Sequence, residues 1–440
     1  MLQKLSSFDP LERRQALEKQ SAKALLQQAG SEFNMHIHSF FSYNGEGWSP
    51  SRIAYEMKNR GMYAAALCDF DVLQGMDEFL SAGDLLQLRT AVAMESRVYF
   101  KEYVSDEINS PGEPGVFYFM GMGFVKAPPQ NSAAEKTLAA LLELSHERNR
   151  ELIQRINACL PDFSLDYDAD VLPLTPQKNA TERHIVRAYY DKAMAQFGES
   201  GAATFWSQIF KDDSVDMKLL ITQVNPCNDF LRKKLMKRGG LGYKVPSPAD
   251  FPVLDTVIKM ILDCRAIPMS AWLDGSLPGE MDPQKQLECL VSKGVEAVNI
   301  IPDRNWNFKD PQVKAEKIAA LNKYIDAAKK LDMPINIGTE ANKPGQILVD
   351  DFSSDALKPH AAVFLEGAQI MIGHTRMLRW GNFSLTDKSG FQNKKTRNKF
   401  FAAVGALPAP QPYILKKLQA MCSEQAYSYM VDSANKETWQ

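Results

Sequence analysis

Cysteine is scarce in this 440-residue chain, and no two cysteines stand close together. The six (Cys68, Cys159, Cys227, Cys264, Cys289, Cys422) form no C-x-x-C pair, which excludes a thiolate zinc ribbon and points to buried thiols in a reducing compartment, not a disulfide framework. An excess of either charge is also lacking. Fifty-one basic against fifty-three acidic side chains leave a net charge of −2, which excludes a dedicated nucleic-acid coat, although a local basic patch remains open. No stretch approaches 18 uncharged apolar residues, so no membrane span is expected. The first residues, MLQKLSSFDPLERRQALEKQ, have no apolar core of a signal peptide. The cytoplasm is the expected compartment. There is no internal repeat and no low-complexity tract.

Against that background, histidine placement stands out. The chain owns six histidines, and two of them, His36 and His38, lie one residue apart in NMHIHSF. In an extended strand, residues i and i+2 share a face, so two imidazoles would stand side by side, an arrangement suited to a metal ion.

The surrounding pattern predicts an α/β protein. Asp9-Pro10-Leu11-Glu12 reads as a helix start within 8–30, followed by a strand at 33–38. Helix 50–60 opens at Ser49-Pro50 and stops at Gly61. A buried strand, MYAAALCDF, a helix from about 74 to 88 and a strand, RTAVAMESRVYF, follow. This alternation is the signature of a parallel sheet or barrel, whose active groups sit at the C-terminal strand ends. His36, His38, Asp69, Asp71 and Glu95 all fall at such ends.

From about 101 the rhythm changes. A loop, 105–115, precedes the strand VFYFMGMGF, and long helical patterns at 131–159 and 181–196 suggest a mostly helical insertion. Its basic run, 232–238, is expected to be a solvated face, and its glycine-rich RGGLG (238–242) a hinge. Strands at 265–274, 294–303 and 333–342 then resume, with a helix at 310–330. The tail is expected to carry helices near 355–371 and 411–427 around a polar loop or lid, GNFSLTDKSGFQNKKTRNK. The expected organisation is 1–32, N-terminal helix; 33–104, first part of the barrel; 105–250, insertion; 251–350, second part of the barrel; 351–440, C-terminal extension.

Read in order, these segments resemble the PHP (polymerase and histidinol phosphatase) metallohydrolases over roughly residues 33–343. HIHSFFSYNG is similar to the opening H-x-H-T-x-x-S-D-G of that family, and ALCDFDVLQGMDEF to its T-D-H-D-T-x-x-G. AVAMESRV stands where the family has a strand ending in a ligand glutamate, TERHIVRAYY resembles R-P-H-I-A-x-A-L, IPMSAWLD occupies the place of a strand ending in A-H-P, and INIGTEANKPG stands in for G-S-D-x-H. The resemblance implies a distorted (β/α)7 TIM-type barrel with a helical insertion and a C-terminal extension. It also implies metal ligands at His36, His38, Glu95 and His184, with Glu340 and Asn342 as oxygen donors. The family's second-motif histidine is Phe70 here, its opening aspartate is Tyr43 or Asn44, and its A-H-P histidine is Trp272. One or two ions of zinc, manganese or iron are therefore expected, not three.

Asp69 and Asp71 are the candidate general bases or partners of the ligating imidazoles. Arg97, Arg183 and Lys343 are candidate phosphate contacts, with Arg304 in the same position after its strand. His146 is expected to be exposed on a charged helix and His360 to be structural, and His374 is a late candidate for the site. The implied activity is a metal-dependent phosphoesterase acting on a small phosphorylated metabolite or nucleotide, with no membrane partner and no obligate nucleic-acid partner. The alternatives are an inactive barrel retained for ligand binding or regulation, and a metal-dependent amide or lactone hydrolase.

Overall fold

A computed structural model describes residues 2–387 and 390–440. Seven strands form one sheet in sequence order: β1 (Phe33–Ile37), β2 (Ala64–Phe70), β3 (Arg89–Tyr99), β4 (Val116–Met122), β5 (Ile267–Trp272), β6 (Ala297–Ile300) and β7 (Ile335–Ile337). The sheet curls into a nearly closed barrel. Past the end of β7, Glu340 pairs with Ile37 in a parallel bridge. His38 N donates to Glu340 O and Glu340 N to His36 O, both at 2.8 Å. The last stitch of the barrel thus passes through the two histidines that the sequence singles out.

β1–β2–β3 and β5–β6–β7 are parallel, as the alternation predicts, but β4 runs antiparallel to both its neighbours. The reason is local. Parallel neighbours need a crossover, usually a helix, whereas the link from β3 to β4 holds only the 3₁₀ turn Lys101–Tyr103 and doubles back, setting Tyr99 opposite Val116. Strand β2 is apolar on both faces (AAALCDF) because helices cover it outside and the barrel interior inside.

The helix Pro50–Asn59 begins as predicted, with Ser49 Oγ accepting from Arg52 N. The N-terminal helix is shorter than expected, Pro10–Ala24. Between β4 and β5, the helices Ala133–Asn157, Glu182–Phe210 and Val224–Met236 gather a second apolar cluster around Tyr189 and Trp206. Helix Glu182–Phe210 breaks at Gly198, whose φ of 68° a helix does not permit.

The tail differs from expectation. The last six residues of the polar stretch read as a loop, 394–399, open the helix Lys394–Ala406, which crosses the helix Ala361–Gly381; residues 388 and 389 of that stretch lie outside the described residues. The crossing is close because a methyl built on Gly373 would overlap the Phe401 carbonyl, and one on Gly405 that of Gln369. These helices lie beneath the N-terminal ends of the parallel strands: Arg89, which opens β3, donates to Leu407 O at 3.0 Å. In the basic run KKTRNK, Arg397 is buried against Glu296 at 2.9 Å. Among the described residues, no helix is long and apolar enough to cross a membrane.

Candidate metal centre

At the opposite, C-terminal end of the strands, His36 and His38 of the β1 terminus meet Glu95 of β3. Glu95 Oε2 lies 3.8 Å from His36 Nε2 and 3.5 Å from His38 Nε2, and the ligating atoms of the three lie within 4.8 Å of one another. All three are buried, and these same three atoms have no hydrogen-bond partner. Buried polar atoms left unpaired are costly, so three orphans converging on one point is the arrangement that a cation would satisfy. The donor set, two imidazoles and a carboxylate, suits zinc, manganese or iron. Burial pushes the Glu95 carboxyl up to about 7, with Glu340 adding to the shift and His36 opposing it. Burial likewise holds both imidazoles below their usual range.

Asp69 sits beside the centre without entering it. Its oxygens accept from Ser39 N (2.8 Å), Ser39 Oγ (2.7 Å) and Ser42 Oγ (2.7 Å), and Ser42 Oγ is 3.2 Å from His38 Nδ1. It therefore folds the loop after β1 and reaches His38 through a serine. Asp71, at a φ of 58°, closes the β2 turn with its N–H on Glu95 O at 2.8 Å. Burial raises its carboxyl, while Arg148, Ser96 and Arg97 pull the other way.

The other candidates are placed as follows. Glu340 accepts from Arg304 and from Asn342 Nδ2, each at 3.1 Å. Burial works against its charge, but Arg304 and the two histidines outweigh it and hold the carboxyl low. The Asn342 amide thus serves Glu340. His184 is third in its helix, where Nδ1 accepts from Thr181 N at 3.1 Å and the ring meets Tyr43 edge-on at 5.1 Å; burial drives its pKa down to about 4. It is not part of the three-residue group. Asn44 ties the loop after β1 together, donating to His38 O and accepting from Glu46 N and Trp48 N. Phe70 lies flat on His38 at 4.6 Å, and Trp272 stacks on Tyr324 at 4.5 Å.

Of the phosphate candidates, Arg97 is held by both oxygens of Glu113 (3.0 and 2.8 Å) and Arg183 by Asp229. Lys343 is exposed and lines a cleft of about 280 Å³ with Asn44, Trp48, Arg60 and Gln346. His374 is at the other end of the barrel, 3.2 Å from Gly123 O, in the floor. His360 bonds Asn322 at 2.7 Å, and His146 bonds the Tyr167 hydroxyl at 2.8 Å, so neither faces the centre.

Several site residues escaped the sequence reading. Tyr118 pairs with Arg97 across the β3–β4 ladder and meets Phe70 edge-on at 6.0 Å. Asn299 and Asn336 lie behind His36. The available signal was a lone amide inside each of two apolar strands, AVNI and INI, and a serine on either side of FF after His38.

No family model and no curated protein matches the chain. Among the solved structures that are similar to it are two from bacteria. One is an amidohydrolase from Chromobacterium violaceum, with bound sulfate and no metal, 14% identical, covering 73% of this chain and 91% of its own, with a TM-score of 0.49. The other, named provisionally as a metal-dependent phosphoesterase, from Bifidobacterium adolescentis, is 16% identical, covering 77% and 98%, with a TM-score of 0.45. Neither assigns a role to any residue of this chain.

Proposed function

We propose that this chain is a metal-dependent hydrolase, most specifically a phosphoesterase for a small phosphorylated metabolite or nucleotide. The observation that carries the reading is the convergence of His36 Nε2, His38 Nε2 and Glu95 Oε2, unpaired and buried, at the C-terminal mouth of an α/β barrel. His36, His38 and Glu95 would hold a divalent ion. Such an ion supplies Lewis acidity and makes water a nucleophile near neutral pH.

The protein's own groups do the rest. Asp69 orients His38 through Ser42. Arg304 neutralises Glu340 and, more than a third exposed, keeps donors facing the mouth where a phosphoryl oxygen would sit. Asp71, buried just past the end of β2 with its carboxyl raised, is the candidate proton acceptor. Of the basic groups near the centre, Arg97 is already paired with Glu113, so it is the exposed Arg304 that would meet an anionic substrate.

A second reading, a barrel that binds without turnover, is supported by the flat stacking of Phe70 on His38 and by the full burial of both histidines. Turnover of p-nitrophenyl phosphate and of nucleoside monophosphates, with Zn²⁺, Mn²⁺ or Fe²⁺ added, separates the two. Hydrolysis abolished by Glu95→Gln supports the first, and bound metal with no turnover of any phosphoester supports the second.

A further inference from the structure

We propose that Asn299 and Asn336 fix the tautomer of His36, and so set how readily the centre takes up its cation. The inference rests on the metal-centre reading above and concerns the hydrogens behind it.

Each histidine is backed by a chain of hydrogen bonds that ends on a group able only to accept. Behind His36 that group is the Met35 carbonyl. Asn336 Nδ2 lies 3.0 Å from it, so the amide nitrogen must face it. The second hydrogen of the same nitrogen goes to Asn299 Oδ1 at 2.8 Å. That contact turns Asn299 Nδ2 towards His36 Nδ1, 3.1 Å away. His36 Nδ1 is therefore an acceptor, and the neutral ring carries its hydrogen on Nε2, the atom that faces Glu95.

Behind His38 the terminal group is the Asp69 carboxylate. Ser42 Oγ donates to Asp69 Oδ1 at 2.7 Å and has only a lone pair left for His38 Nδ1 at 3.2 Å. His38 Nδ1 must donate, which leaves Nε2 a bare lone pair. The two rings, one residue apart in sequence, carry opposite tautomers.

The consequence is chemical. A ring ligates through an unprotonated nitrogen, and its other nitrogen then donates to an acceptor behind it. His38 meets that requirement as it stands. His36 meets it only after the Asn299 amide turns to offer Oδ1 to Nδ1–H, which sets Asn299 Nδ2 against Asn336 Nδ2 and breaks that bond. Both asparagines are fully buried, so the lost bond has no replacement at the surface. Asn299 is thus a positioning residue that holds metal uptake back.

Nitrogen-15 NMR of the metal-free full chain reads the tautomers directly. The expected result is His36 protonated at Nε2 and His38 at Nδ1; a His36 ring protonated at Nδ1 overturns the proposal. The second measurement uses Asn299→Asp, whose carboxylate accepts from Asn336 and from His36 Nδ1–H at once. Its affinity for Zn²⁺ or Mn²⁺, by competition with a chromophoric chelator, is expected to exceed that of the unaltered protein about tenfold. Equal or weaker binding overturns the coupling. Should the variant fail to fold, the NMR result on the unaltered chain decides. Tautomers as assigned, with neither ion bound by either protein, overturn the metal-centre reading and the coupling with it.

Discussion

Asp69 illustrates how much one side chain decides at this site. It accepts three hydrogen bonds from the loop after β1 and backs His38 through Ser42. Asp69→Asn replaces one acceptor oxygen by a donor facing donors. The expected cost is about 1–3 kcal/mol of stability, from leaving buried groups unpaired, measured by urea unfolding. The same variant is expected to bind metal about 10–100-fold more weakly, because His38 loses its orienting partner. Unchanged metal affinity would separate Asp69 from the centre. His36 and His38 were legible because a strand period of two sets them side by side at the end of β1, whereas Glu95, read as a strand end, lies inside β3 level with the end of β2. The partners behind them were not legible, since the contacts between Asn299 and His36 span 263 residues and depend on barrel closure.

Elements respond to the polar groups buried at their ends. Glu280 accepts from the N–H groups of Leu273, Asp274 and Gly275 and so shapes the chain that leaves β5. Burial nonetheless outweighs those bonds and pushes its carboxyl from 4.5 up to about 7. The folded state then binds this proton more tightly than the unfolded chain. Its contribution to stability is complete below about pH 4.5 and is lost as the pH rises through about 7, amounting to at most about 3 kcal/mol. Denaturant titrations of the wild-type chain and Glu280→Gln across that range check this, with a flatter pH dependence expected in the variant. An identical slope in both would remove Glu280 from the account. At the floor, Gly373→Ala forces a methyl into the Phe401 carbonyl and is expected to destabilise the chain by about 1–3 kcal/mol, again by urea unfolding. That floor was poorly legible: the close crossing of two helices depends on small residues at the contact, and the polar sequence around Lys394 resembles a loop. The reversal of β4 was equally hidden, because an apolar run has no direction until its neighbours are known.

For the whole molecule, the decisive relation is between the helical insertion and the mouth of the barrel. Asn179, just before the helix Glu182–Phe210, donates to both Phe41 O and Phe70 O at 2.8 Å, and so fastens the insertion over the loop that follows His38 and over the end of β2. Asn179→Ala is expected to loosen that roof by about 1–3 kcal/mol, raising the rate at which a chelator strips metal by about tenfold or more, with faster amide exchange confined to residues near 39–44 and 70–74. Uniformly faster exchange would instead indicate global destabilisation. The barrel class and the presence of a helical insertion were legible because strand–helix alternation and its interruption span many residues; the way the two parts meet was not, because it turns on a single amide.

The central claim is that His36, His38 and Glu95 grip a cation. Its most direct test is metal analysis of the chain purified without chelator, beside His38→Ala and Glu95→Gln. The account predicts about one equivalent of zinc, manganese or iron per chain, lost in both variants while their folds persist by circular dichroism. Less than about 0.2 equivalents in the unaltered chain, or equal metal in all three proteins, would contradict it.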